Sequence, residues 1–192
     1  MSVINKRMFA VILIVGILVV VGLLFIVSYN SMVGKSQTVD QNLSQIKNRY
    51  VTKVTILGEL LPQVQQYQQF EASTLTNITA LRSQWMSAIA NNASTEELSN
   101  ISSRLDANVS RVMVTFEAYP ELQSVALMAQ YMGQVVDVNE QLSYARGQYN
   151  AAVRDYNTNI MSFPNNMFAG SFGFSAKQYW GTDLPDGEVL NL

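Results

Sequence analysis

The chain has 192 residues, with 12 Lys and Arg against 14 Asp and Glu for a net charge of −2, and it contains no His and no Cys. Those two absences exclude His-based acid–base chemistry, Ser-His-Asp triads, cysteine nucleophiles, disulfides, zinc fingers and thiolate clusters. Charged residues make up 14%, against about 25% in an ordinary soluble protein, and the mild acidity argues against a nucleic-acid partner.

Lys6 and Arg7 are the only charges before residue 35, and residues 8–27 carry no charged or strongly polar side chain. As a helix rising about 1.5 Å per residue, that run spans about 30 Å, the hydrocarbon thickness of a bilayer. A cleaved signal peptide has a shorter apolar core, about 7–15 residues, and a small-residue cleavage site. Here the run ends in Phe25-Ile26-Val27-Ser28-Tyr29 instead. The expectation is a single-pass anchor that contacts membrane lipid through residues 8–27. Lys6 and Arg7 outweigh Lys35 on the other side, so the positive-inside rule places residues 1–7 in the cytoplasm and the remainder outside the cell membrane.

From residue 28 to 163 the pattern predicts an antiparallel four-helix bundle, which makes the chain all-α. Met32, Val39, Leu43, Ile46, Tyr50, Lys53, Leu57, Leu60, Val64, Tyr67 and Glu71 follow steps of three and four, with Ser36 between the first two. Val125, Met128, Met132, Val135, Asn139, Leu142, Arg146, Tyr149, Val153, Tyr156, Ile160 and Phe163 do the same. Such alternation keeps one face toward a partner, as in coiled coils and left-handed bundles. Breakers and caps place helices over 28–69, 72–90, 95–118 and 120–162, the first and last long and of similar length. Pro62 should kink or break the first, and that helix is free to continue the membrane helix, since no Gly or Pro interrupts residues 23–33.

Five sequons, at Asn42, Asn77, Asn92, Asn100 and Asn108, suit an exported domain in a cell that glycosylates Asn. Chance matches in a stretch rich in Asn, Ser and Thr explain them equally well.

Polar residues interrupt the apolar seams. Asn139 and Arg146 stand one heptad apart on the last helix, and Lys53 and Glu71 break the stripe of the first. A buried charge is costly unless paired, so these residues set the helix register or line an internal site for a small ligand or ion. Tyr149-Asn150 and Tyr156-Asn157 are also a heptad apart, with Tyr29-Asn30 at the end of the apolar run. They read as core tyrosines beside surface asparagines, or as a shared binding groove. Glu117 with Glu121 and Asp137 with Glu140 are paired carboxylates without His, which suits a solvated face better than a metal site. Ser44 and Lys47 have no oxyanion hole or desolvated pocket to activate them. No catalytic, cofactor-binding or metal-binding residue is expected.

After Phe163-Pro164 the periodicity stops. Residues 164–192 are rich in Gly and aromatics and read as a partly ordered tail with a loose final dozen. The rings either cover the open base of the bundle or lie at the membrane surface.

Several short stretches in order resemble the LemA family of bacterial and archaeal membrane proteins. They are Tyr29-Asn30-Ser31-Met32-Val33, Arg49-Tyr50, Leu61-Pro62-Gln63-Val64, Glu117-Ala118-Tyr119-Pro120-Glu121-Leu122, the run from Asn139 to Val153, Tyr156-Asn157, and Phe163-Pro164-Asn165-Asn166. The chain departs from the family pattern at Asn48, Gln63 and Gln123, where basic residues or Asn are usual. The resemblance implies an N-terminal anchor, a four-helix antiparallel domain and no established enzyme activity. A relative in magnetotactic bacteria acts in forming an internal membrane compartment, which implies membrane organisation or scaffolding. The expected function is therefore a non-enzymatic envelope scaffold or interaction module, with self-association as one mode. The other reading is a sensor binding a small ligand or ion in the polar seam.

Overall fold

The computed structural model describes residues 3–181. Regular structure among them is helical: α1 (Val3–Val64), α2 (Ala72–Ala90), α3 (Thr95–Ala118), the single turn α4 (Pro120–Gln123), α5 (Ala126–Met161), and a 3-10 turn at Asn165–Met167. The all-α class is as expected. Residues 182–192, on which most of the expected loose end falls, lie outside the described residues, as do Met1 and Ser2.

The apolar run and the amphipathic stretch after it form one continuous helix of 62 residues. α1 is long and apolar enough to cross a membrane, and residues 8–27 are exposed on every face of it. Burial begins at Ser28 and Met32. The helix ends at Val64 rather than at 69. Pro62 lies in its last turn, where its missing N–H and its ring's clash with the carbonyl four residues back break the ladder and the helix stops two residues on. Residues 65–70 instead make turns, with the Tyr67 amide donating to the Val64 carbonyl and that of Phe70 to Tyr67. Glu71 is thereby removed from the seam of the first helix and becomes the N-cap residue of α2. Its exposed carboxylate accepts from the Ser73 and Thr74 hydroxyls, which hold it below the usual carboxylate range.

α3 starts as its cap signal predicts: the Ser94 hydroxyl accepts from the Glu97 amide at 3.2 Å, with Glu96 and Glu97 in the first turn. The expected helix over 120–162 is two. Pro120 opens α4 at N1, and Tyr119 before it is extended, as a residue preceding Pro must be. α4 closes after one turn, where the Ser124 hydroxyl donates to the Glu121 carbonyl at 2.6 Å and competes with helix continuation. Leu122 is fully buried and anchors this turn. α5 then starts afresh at Ala126.

The described residues group into two compact units. One comprises α1 up to Asp40 with Ala151–Lys177, the other Gln41–Asn150 with the residues from Gln178 on. The second unit is the four-helix bundle, built from the later part of α1, α2, α3 and the earlier part of α5. Its neighbours run antiparallel. Tyr50 packs tilted on Trp85 while Val54 meets Arg82, and Asn42 meets Gln148 while Lys53 meets Asn139. Ile46, Tyr50, Leu57, Ile78, Trp85, Leu98, Leu105, Val135 and Tyr149 fill the core at the predicted helical spacing. In the first unit α1 and the end of α5 also run antiparallel, tied by Asn159 Nδ2 donating to Ser31 Oγ at 3.0 Å. Met32, Val39, Val153, Tyr156 and Ile160 are buried there.

Candidate functional site

Within the bundle unit, heptad spacing delivers polar groups from three helices to one place. α1 contributes Tyr50 and Lys53, three residues apart on its buried face. α5 contributes Asn139 and Arg146, and α3 contributes Asp106. The Lys53 side chain is 1% exposed. Its Nζ donates to Asp106 Oδ1 at 2.5 Å and to Asn139 Oδ1 at 2.7 Å. The other carboxylate oxygen of Asp106 accepts from the Tyr50 hydroxyl at 2.8 Å and from the Arg146 guanidinium at 2.5 Å. Arg146 also lies over the Tyr50 ring, 5.4 Å from its centroid.

One carboxylate thus serves two cations, and the cluster carries an excess of one positive charge. Burial pushes the Asp106 carboxyl above the ordinary carboxylate range, with the Lys53 ammonium pulling the other way. Burial likewise lowers the Arg146 guanidinium from its ordinary value, from which it still stays protonated near neutrality. The Nε of Arg146 is buried and has no protein partner. Asn139 and Arg146 are therefore brought together as their spacing suggests. Asp106, the acid that takes Arg146 on one oxygen and the Asn139-bound Lys53 on the other, was not singled out by sequence reasoning. Its signal is the polar stripe Ser99, Ser102, Asp106, at steps of three and four beside the apolar stripe Leu98, Ile101, Leu105, Val109.

The Tyr149-Asn150 and Tyr156-Asn157 pairs hold backbone, while Tyr29 packs on the rings of Phe172 and Phe174. In the bundle unit Asn150 forms a two-bond ring with the peptide groups of Trp180: its Oδ1 accepts from the Trp180 amide at 2.8 Å and its Nδ2 donates to the Trp180 carbonyl at 3.1 Å. The Tyr149 hydroxyl donates to the Gln178 carbonyl at 2.8 Å. In the other unit Asn157 makes the same ring with Lys177, at 2.8 and 2.9 Å, and the Tyr156 hydroxyl donates to the Ser175 carbonyl at 2.9 Å. The repeat has a metric reason. Seven residues of helix rise about 10.5 Å, and three residues of extended chain cover about 10 Å.

Side chains complete each clamp. Trp180, 4% exposed, packs its ring against Tyr50, Trp85 and Tyr149 with centroids 6.1, 6.5 and 6.3 Å away, and the next amide, of Gly181, donates to Ser99 Oγ. In the other unit Lys177 pairs with Asp40 at 2.6 Å and lies over the Tyr156 ring. Residues 174–181 are thus held in place, where the sequence suggested a partly ordered segment, because an Asn amide satisfies a peptide as a neighbouring strand would. Tyr149 and Tyr156 are each buried, and so is Asn157, where the core-tyrosine reading has a surface asparagine, because its amide is spent on the Lys177 backbone.

Of the sequons, Asn42, Asn77, Asn100 and Asn108 lie within helices, and Asn92 lies in the turn before α3 with φ 52°. The Asn108 amide donates to the Arg104 carbonyl at 2.8 Å and Asn42 donates to the Gln148 carbonyl at 3.5 Å. Among the described residues no group of three or more Asp or Glu side chains is placed to hold a metal ion.

A family model described as the LemA family matches residues 42–189. Two proteins of Paramagnetospirillum magneticum (strain ATCC 700264 / AMB-1), named magnetosome protein MamQ 1 and magnetosome protein MamQ 2, are each 33% identical to the chain over 79 residues. That match covers 41% of this chain and 29% of each relative, so the chain spans under a third of the curated relatives it matches.

Proposed function

The chain belongs to the LemA family, and from that premise we propose that it is a non-enzymatic, membrane-anchored envelope scaffold. In this reading residues 8–27 cross the cell membrane once, residues 1–7 face the cytoplasm, and the helical bundle works outside. What carries it is the engagement of the polar side chains with the protein itself. Lys53, Asp106, Asn139 and Arg146 are spent on one another, and the Tyr–Asn pairs are spent on the chain's own backbone. A bundle stiffened in this way presents a fixed outer face. Exposed apolar residues on its outside, Val114 on α3 and Leu127, Val136 and Tyr144 on α5, offer partner proteins or a second copy something to bind. The test is photo-crosslinking in cells from positions 114, 136 and 144 of the full-length protein. Adducts to a reproducible envelope protein, or to the chain itself, are expected. Turnover of any substrate by the purified protein at ordinary enzymatic rates would overturn the reading.

A second reading has its own observation. The cluster's excess positive charge and the unpartnered Arg146 Nε suit a small anion. A thermal-shift screen with phosphate and simple carboxylates would show stabilisation that disappears in Arg146→Gln. Equal response of both proteins removes this reading.

A further inference from the structure

We propose that residues 163–174 form a second membrane contact, an interfacial loop seated at the hydrocarbon–headgroup boundary beside α1. The proposal rests on the anchor reading of residues 8–27 and concerns one compact unit throughout.

Depth is the first argument. The loop's rings pack on the end of the apolar run: Phe168 lies 3.9 Å and Phe172 5.8 Å from Phe25, while Phe172 and Phe174 lie 5.2 and 5.9 Å from Tyr29. With residues 8–27 centred in a bilayer whose hydrocarbon half-thickness is about 15 Å, Phe25 lies about 11 Å and Tyr29 about 17 Å from the midplane. The two rings bracket the boundary, and the loop touches both.

Composition is the second. No Asp, Glu, Lys or Arg occurs between Asp155 and Lys177. Aromatic rings favour this boundary, and a charge-free stretch enters it without the cost of desolvating an ion.

The third argument is that the backbone needs little from water. The amides of Met167, Ala169, Phe172 and Phe174 donate to the carbonyls of Pro164, Asn165, Phe168 and Ala169, and Asn165 Nδ2 donates to the Asn159 carbonyl. Internal satisfaction of this kind is what a low-dielectric setting requires. The fourth is what stays uncovered: Phe163 is 79% and Met167 63% exposed, and neither is needed to close the loop. Apolar side chains so exposed beside a span are suited to a lipid surface rather than to bulk water.

The chain has no Cys, so single labels are clean. Nitroxides at Phe163→Cys, Met167→Cys, Val19→Cys and Ser83→Cys of the full-length protein in phosphatidylcholine–phosphatidylglycerol vesicles would report collision with oxygen and with a water-soluble nickel chelate. At positions 163 and 167 the oxygen-to-nickel ratio should exceed that at Ser83 on α2 by about threefold, approaching the value at Val19 in the span. If Val19 reports lipid while 163 and 167 match Ser83, the loop is in water and the inference fails with the anchor intact. If 163 and 167 are shielded from both reagents, a protein surface covers them and the inference also fails. If Val19 itself reports water, the anchor reading falls and the inference falls with it.

Discussion

Lys53 shows what a buried charge demands of its neighbours. It is almost fully enclosed and held by Asp106 and Asn139. Removing one member of such a pair leaves an uncompensated ion, so Asp106→Ala should destabilise the fold by about 3–5 kcal/mol in urea or thermal unfolding. Lys53→Met in that background should recover most of the loss, since an apolar side chain of similar volume is tolerated where a lone ammonium is not. The Asp106 carboxyl also has a defined pH signature. Its folded value lies above its unfolded one, so the folded state binds the proton more tightly. Its contribution to stability is present at the acid end of that window and lost as pH rises through the folded value. A carbon-13 titration of Asp106 should give a midpoint above that of an aspartate in an unfolded peptide, about 3.9. Gly58 makes a different residue-scale case. A Cβ there would collide with the Arg82 guanidinium, which lies across α1 with its Nε donating to the Val54 carbonyl at 2.6 Å. Gly58→Ala should therefore stabilise the Arg82→Ala protein by about 1 kcal/mol, the helix-propensity gain, and the wild type by clearly less.

Among the elements, the segment 174–181 departs furthest from its sequence pattern. It has no helical or strand periodicity, yet two asparagines and two tyrosines fix its backbone. Hydrogen exchange should find the amides of Lys177, Trp180 and Gly181 protected well beyond the level of an exposed segment, because each is bonded to a side chain. Asn157→Ala removes both the acceptor of the Lys177 amide and the donor to its carbonyl, and should release the amide of Lys177 to fast exchange while α2 and α3 keep their protection. Trp180→Ala removes a ring packed against three others and should cost about 3–5 kcal/mol. Helix ends follow simpler chemistry. Pro62, Ser94 and Pro120 each act within one turn of where the sequence places them, since their effects are carried by their own backbone or nearest neighbours.

For the whole molecule the governing fact is one continuous helix that is apolar and exposed on every face over residues 8–27 and becomes amphipathic after residue 27. The proposed orientation predicts that Ser110→Cys on α3 reacts with a membrane-impermeant maleimide on intact cells and Ser2→Cys does not. The opposite labelling pattern would invert the topology. Family membership fixes the class of protein, and the length matched in the MamQ relatives is too small a share of them to carry their roles across.

The long apolar helix, the helical class, the caps and the two long seams were legible in the sequence because each is a local or periodic property, decided by neighbours three or four positions away. Asn139 and Arg146 were legible as interruptions of a seam. The acid that meets Arg146 was not, because it depends on how three helices pack, and Asp106 is 40 residues from Arg146 in the chain. The same holds for the Tyr–Asn pairs. Their heptad spacing was visible, but what they bind is the backbone of residues 175–180, and backbone groups are chemically alike at every position of a sequence. Only the tertiary structure, by bringing a particular stretch of extended chain alongside α5, decides which peptides those amides read.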